Sequence, residues 1–441
     1  MGRRIVLATV GSFGDLHPYL AIALELKARG HQPIIVTTEF YRTKIEAEGL
    51  EFHPMRPNIS PEGEQSREWF KRSMDAQRGT EYVVRELFLP HLRDSYEDMK
   101  SALQNGADLV VTHPLTWGAR LLAEKRGLPW VSSVLAPISF TSAYDPSILP
   151  TSQGNLSLRG LPPWFNRPLL KLGKLRFHTW TDPIRQLRAE LGLPPLKTDP
   201  LFEGQHSPDL VLALFSELLG APQPDWPPHT CVTGFAFYDR HGAGGLAPDL
   251  AEFLAAGPAP IVFTLGSSAV LDPGKFYIES ATAAEQLGRR AVLLVGNNGP
   301  DVLPSVQSKN IAVFDYAPYS ELFPQAAAIV HQGGVGTTAQ AMRSGRPMLV
   351  VPYSHDQPDN AARVSRLGIA RSLARQAYTA SRVAVELNQL LNEPRYSQRA
   401  AEIGCQIQAE NGAHKACDAL EAYLAGRATS NQPSEQKPLP A

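Results

Sequence analysis

Apolar runs of strand length alternate along this chain with longer amphipathic stretches. Ile5 to Val10 is followed by helical spacing from about Pro18 to Arg29, by a second apolar run from Pro33 to Thr38, and by a helix that closes near Gly49. That rhythm is βαβ and predicts a parallel sheet. It resumes with Leu109 to Thr112, a helix over Gly118 to Arg126, Trp130 to Val134 and Leu210 to Leu214. Two segments, about residues 55 to 100 and 137 to 200, are too long and irregular to be tight connections. The Pro-rich stretch 221–228 reads as a stiff connector. Beyond it a second series begins: Ile261 to Leu265, a helix from about Pro273 to Leu287, Ala291 to Val295, Ile311 to Phe314, Ala326 to Val330, a helix from Thr337 to Ser344, and Met348 to Val351.

The pattern predicts an α/β chain of two facing Rossmann-like domains. The first covers residues 1–220 and is completed by a C-terminal helix near 405–425; the second covers 235–404. A polar, Pro-rich and disordered tail is expected at 426–441. Ligands of such sheets bind beyond the carboxyl ends of the strands, so the chemistry is expected in the loops that follow them.

A length of 441 residues suits two domains. The formal net charge of −1 gives no electrostatic reason to expect nucleic acid as a partner. Three cysteines, Cys231, Cys405 and Cys417, lack any metal-ligand spacing and read as small apolar residues in a reducing compartment. The opening MGRRIVLATVG has a basic start, but its apolar run stops at Val10, which suits a first strand rather than an export signal. No run approaches the roughly 18 residues of a membrane span. A cytoplasmic protein, at most peripheral to a membrane, is expected.

The most informative run is His331-Gln332-Gly333-Gly334-Val335-Gly336-Thr337-Thr338, which follows a strand and opens a helix. Glycines let the backbone approach a ligand closely, the helix N-terminus offers unpaired N–H groups, and the threonine hydroxyls add donors. Such a loop can hold a diphosphate without a metal. It lacks the lysine of a Walker A loop and the spacing of a dinucleotide fingerprint, which weakens kinase and dehydrogenase readings. The next strand leads to Asp356 and Gln357, an acceptor and donor pair suited to adjacent sugar hydroxyls. The first strand ends in Gly11-Ser12-Phe13-Gly14-Asp15-Leu16-His17-Pro18, with Pro18 expected in the first turn of a helix. Asp15 or His17 could take a proton from an attacking hydroxyl there, and Asp15 could alternatively be a helix N-cap.

Together these motifs resemble the signature of the family 1 nucleotide-sugar glycosyltransferases, which have the GT-B fold. The likeness extends over about residues 1 to 425 and is strongest from Asp315 to Leu367. It is closest to the bacterial and sterol-type branch, including rhamnolipid rhamnosyltransferases and antibiotic glycosyltransferases. The resemblance implies an inverting transfer of a sugar, glucose first and rhamnose next, from a UDP- or dTDP-sugar to a small, largely apolar hydroxylated acceptor. It implies no metal and no cofactor beyond the nucleotide sugar as co-substrate.

By that resemblance, His331 contacts phosphate, Gly333, Gly334, Gly336, Thr337 and Thr338 form the diphosphate loop, and Asp356 and Gln357 hold the sugar. Ser267 and Ser268 match a serine loop facing the phosphates, and Tyr316 falls where a ring stacks on the base. Gln340 stands beside Ala339, where plant members carry a ribose-binding Glu. The resemblance favours Asp15 as the base. Plant members orient their catalytic His with an Asp near the position of His113 here, so a plant-style dyad is not evident. His113 is read as touching the acceptor, assisting Asp15, or simply ending its strand.

Phe13, Trp117 and Phe140 are the expected acceptor-pocket aromatics. From Leu158 to Arg188, seven Lys/Arg and one acid, Asp182, are mixed with Leu, Trp and Phe. That stretch reads either as a solvated helix face or as a surface resting on an anionic membrane. A monomer is expected. The competing functions are a sugar-nucleotide epimerase of the same fold and a non-catalytic nucleotide-sugar-binding protein.

Overall fold

A computed structural model describes residues 2–60, 64–151, 154–239, 245–299 and 308–430. The first sheet contains β1 (Arg4–Ala8), β2 (Gln32–Thr37), β3 (Glu51–Pro54), β4 (Leu109–Thr112) and β5 (Trp130–Val134). Beyond a short antiparallel hairpin of β6 (Leu149–Thr151) and β7 (Gly154–Leu156), it adds β8 (Val211–Ala213) and β9 (Thr230–Val232). Its order is β3-β2-β1-β4-β5-β8-β9, with every pairing parallel. The second sheet joins β10 (Ile261–Thr264), β11 (Ala291–Leu294), β12 (Ile311–Phe314), β13 (Ala328–His331), β14 (Met348–Val350) and β15 (Ala370–Ser372). Its order is β12-β11-β10-β13-β14-β15, again all parallel.

Central strands such as Ile261–Thr264 and Ala291–Leu294 are unbroken apolar runs because helices cover both sheet faces and no side faces water. In each sheet the winding direction reverses once, between β1 and β4 and between β10 and β13. Helices on either side of such a reversal diverge and leave a crevice beyond the strand ends. Asp15, His113, Ser267 and His331 stand at or just beyond the carboxyl ends of β1, β4, β10 and β13, so topology alone gathers four of the expected site residues at the two crevices.

Several expected boundaries move. The first sheet runs on to Val232, and the Pro-rich stretch 221–228 joins β8 to β9 instead of linking the domains, so the first domain does not end at 220. Helix α1 spans Phe13–Ala28 and starts five residues before Pro18, which lies inside it rather than in its first turn. The returning helix at the C-terminus is Gly412–Ser430. Its Cys417, Leu420 and Leu424 pack into the core around β1 and α1, and Arg29 pairs with Asp418 and Glu421. Cys405 belongs to the preceding helix, Pro394–Gln408, and is exposed rather than core. The expected tail at 426–441 begins inside the Gly412–Ser430 helix; residues 431–441 lie outside the described residues.

The two domains share packing. One apolar cluster continues from Val134, Phe215 and Val232 of the first sheet into Val262, Val292 and Ile329 of the second. The irregular segments also reach across. Met74 is buried in the second domain's core, and Ile148 donates its backbone N–H to Asp359. No helix among the described residues is long and apolar enough to cross a membrane.

Candidate active site

The loop after β1 builds a capping box. Gly11 adopts φ +126°, and a Cβ there would fall 2.3 Å from Oδ2 of Asp15, so the turn admits only glycine. Ser12 is the N-cap of α1 and accepts from the Gly14 N–H, while Asp15 Oδ2 accepts from the Ser12 N–H at 2.7 Å. Asp15 is therefore not the N-cap but its reciprocal partner three residues on. One oxygen is committed to the loop. The other, Oδ1, faces His113 Nε2 at 3.5 Å.

His113 directly follows β4 and is almost wholly buried. Its Nδ1 accepts the Leu115 backbone N–H at 3.2 Å. That bond assigns the neutral ring's proton to Nε2, the nitrogen aimed at Asp15. An acid–histidine pair thus exists, with the acid on α1 and the histidine beside it; it is not the plant-style dyad, in which an Asp orients a catalytic His. His17 is not part of it. Two residues on, it lies across α1 from Asp15, its ring held between Phe13 (5.4 Å) and Tyr238 (5.1 Å).

The expected acceptor aromatics are placed differently. Trp117 and Phe140 are core residues, 4% and 2% exposed, and Phe140 packs on Trp226 at 4.4 Å. Phe13 is half-buried against Phe40, Tyr41 and His17. Large aromatics in loops next to a sheet mostly fill core, and these do.

In the second domain the glycine-rich run forms the start of helix α2, Val335–Arg343. Gly334 is its N-cap and contributes no side-chain bond, so the N–H groups of Val335, Gly336 and Thr337 have no acceptor within the helix. Gly333 sits at φ +90°, where a Cβ would come within 2.7 Å of Val350. Thr337 is nearly buried beside the serine loop: a Cβ on Gly266 would lie 3.1 Å from its Oγ1. Ser267 is exposed on that loop and Ser268 half-buried.

Two residues expected at the phosphate are not available to it. His331 is fully buried; its Nδ1 accepts the Gly333 N–H at 3.0 Å and its Nε2 faces Met348 Sδ at 3.4 Å. Burial pushes its pKa down to about 3, so the ring stays neutral. It supports the glycine turn from beneath. Thr338 is also fully buried, and its hydroxyl has no hydrogen-bond partner among the described residues.

Gln340 is likewise engaged elsewhere: Arg343 donates to its Oε1 at 2.8 Å and also pairs with Asp239 of the interdomain connection. Tyr316, by contrast, is 55% exposed just beyond β12. Gln357 spends its Oε1 on the backbone N–H groups of Tyr353 and Ser354, at 2.8 and 3.2 Å, which leaves its amide NH₂ as the group it can present.

The two sets of loops meet. A Cβ on Gly336 would lie 3.6 Å from Gly14 Cα, so the N-terminal ends of α1 and α2 nearly touch across the cleft. Asp356 accepts from Asn360 at 2.7 Å. Burial raises its pKa to about 7, opposed by the Asn360 bond and reinforced by the charge of Asp15 from the other domain. The carboxyl groups of Asp15 and Asp356 are therefore close enough to interact across the domain boundary, beside the N-terminal N–H groups of α2.

Residues invisible to the motif reading hold this arrangement. His355, at φ +58°, meets Thr80 of the first irregular segment at 3.1 Å. Arg363 of helix α3, Gln357–Arg366, bonds Asp359 at 2.7 Å and Asp145 of the second irregular segment at 2.5 Å. Asn360 also donates to the Gly333 carbonyl. Gln332 reaches under both glycine turns.

Residues 290–422 match the domain family described as the erythromycin biosynthesis protein CIII-like C-terminal domain, and residues 5–144 match the glycosyltransferase family 28 N-terminal domain. O-mycaminosyltylonolide 6-deoxyallosyltransferase of Streptomyces fradiae is 32% identical over 440 residues, 98% of this chain and all of that protein. A sterol 3-beta-glucosyltransferase of Neurospora crassa is 29% identical over 95% of this chain and 27% of its own greater length. Among solved structures, CalG4, the calicheamicin glycosyltransferase, superposes with a TM-score of 0.69 at 20% identity, covering 97% of this chain and 100% of that one.

Proposed function

The chain belongs to the family 1 glycosyltransferases of the bacterial antibiotic type, with the GT-B fold, and from that premise we propose that it moves a hexose from a UDP- or dTDP-sugar to a hydroxyl of a small, largely apolar natural product, with inversion. The observation that carries this reading is the apposition of Asp15 with the open N-terminus of α2, at the point where Gly14 and Gly336 approach. Asp15 takes the acceptor hydroxyl's proton on Oδ1 as that oxygen attacks the anomeric carbon. His113, its Nε2–H directed at the same oxygen, is a positioning residue. The helix N–H groups and Thr337 receive the charge growing on the departing diphosphate, a role open to an uncapped helix end without a metal.

In this reading the first domain binds the acceptor and the second the donor, with Tyr316 stacking on the base, Ser267 and Ser268 near the phosphates, and Asp356 with the Gln357 amide on sugar hydroxyls. Glucose and rhamnose are the sugars proposed from the sequence. The relatives' names, a 6-deoxyallosyltransferase and a glucosyltransferase, support a hexose or 6-deoxyhexose without separating them. The protein works as a cytoplasmic monomer, a compartment supported by its three free cysteines, with at most peripheral membrane contact. The test is product formation, by mass spectrometry, from a panel of UDP- and dTDP-hexoses and polyketide or sterol acceptors, with and without EDTA. Transfer that persists in EDTA is expected; complete loss, restored by Mg²⁺ or Mn²⁺, would contradict the metal-free step.

A further inference from the structure

The stretch from Leu158 to Arg188 contains the helix Pro163–Leu175, which lies on the first domain through a narrow face. Asn166 is buried and donates to the carbonyls of Ala143 and Leu161, and Lys174 pairs with Glu203. At about 100° per residue, Trp164, Leu175, Pro168, Leu172, Phe165 and Leu169 fall on one contiguous arc of roughly 140° on the other side. Trp164, Leu172 and Leu175 are 73%, 66% and 63% exposed. An ordinary surface helix turns its apolar arc to the core; this one turns it outward.

The charges around the arc select what covers it. The helix carries no acid, and Arg167, Lys171 and Arg176 have no carboxylate partner among the described residues. Lys171 borders the arc beside Trp164, and Arg176 follows its end. A twofold pairing of this face with a second copy would set like charges against each other, whereas an anionic lipid surface complements them.

We propose that the Pro163–Leu175 helix lies in the headgroup layer of an anionic bilayer, its Trp164–Leu175 arc entering the acyl boundary and Lys171 and Arg176 meeting lipid phosphates. This rests on, and gives residues to, the peripheral membrane contact in the functional reading.

Flotation of the full chain with vesicles of phosphatidylcholine alone, or with about 30% phosphatidylglycerol, tests it at low and high salt. Wild type should float with the anionic vesicles and be released by salt. Leu172→Glu should weaken partition by about tenfold or more, and Lys171→Gln and Arg176→Gln by about fivefold each. Circular dichroism, UDP affinity and transfer to a water-soluble acceptor should stay unchanged in all three, which separates a failure here from a failure of the transferase reading. Absence of wild-type flotation would overturn the proposal. So would a wild-type dimer, by light scattering, that Leu172→Glu dissociates.

Discussion

Replacing His331 by alanine separates a ligand contact from a structural support. The ring is fully buried, and its Nδ1 is the acceptor for the Gly333 N–H. Its loss leaves that donor unpaired, at about 1–3 kcal/mol, and opens a cavity whose cost falls in the lower part of the 2–5 kcal/mol range for large-to-small core changes. A total of about 3–5 kcal/mol corresponds, for a domain of this size, to a fall in Tm of roughly 6–20 °C. Because the folded pKa lies near 3 against an unfolded value near 6.5, the loss should be constant above about pH 7.5 and shrink as pH falls below about 6.5, where the unfolded wild-type histidine binds a proton that the buried ring does not. Asparagine, whose Oδ1 can replace Nδ1 as acceptor, should recover a large part of it. Scanning calorimetry of the three proteins, with UDP affinity measured by titration calorimetry well below each Tm, is the assay. If His331→Ala melts within about 2 °C of wild type yet loses tenfold or more in UDP affinity, the ring touches phosphate and the support role is wrong.

Asp356 carries the pH dependence. With its folded pKa raised to about 7 against an unfolded value near 3.9, its contribution favours the fold at low pH and is lost as pH rises through about 7. Asp356→Asn should therefore raise Tm more at pH 8 than at pH 5, by differential scanning fluorimetry; an equal change at both would exclude the shift. Gln357→Ala should weaken a nucleotide sugar while leaving UDP binding near wild type, since only its amide NH₂ is free for a sugar hydroxyl. Equal losses for both ligands by calorimetry would place its role in the Tyr353–Ser354 turn alone.

Both sheets were legible because buried parallel strands are continuous apolar runs, as in Ile5–Ala8 and Ile261–Thr264. Strand β9 was not: three residues, Thr230–Val232, between prolines and a glycine carry no periodicity. The glycine loop was legible because its backbone demands show as residue types, with Gly333 at positive φ and Gly334 at the N-cap. What could not be read were side-chain directions. Nothing local shows that Met348 backs His331, that Arg343 occupies Gln340, or that His113 reaches Asp15 from another strand. The start of α1 lies five residues ahead of Pro18 because the Ser12–Asp15 capping box sets it.

The role of Asp15 is most directly tested by the single-turnover rate of Asp15→Asn, with donor and acceptor saturating. Asparagine keeps the size of the side chain and its Oδ1 can still accept from the Ser12 N–H, but it cannot take up the acceptor's proton. The rate is expected to fall about 100-fold or more, with UDP affinity and Tm near wild type, while His17→Ala changes it little. A rate for Asp15→Asn within a few-fold of wild type in a folded protein, or a loss explained by a lowered Tm alone, would leave Asp15 as a capping residue and the base elsewhere.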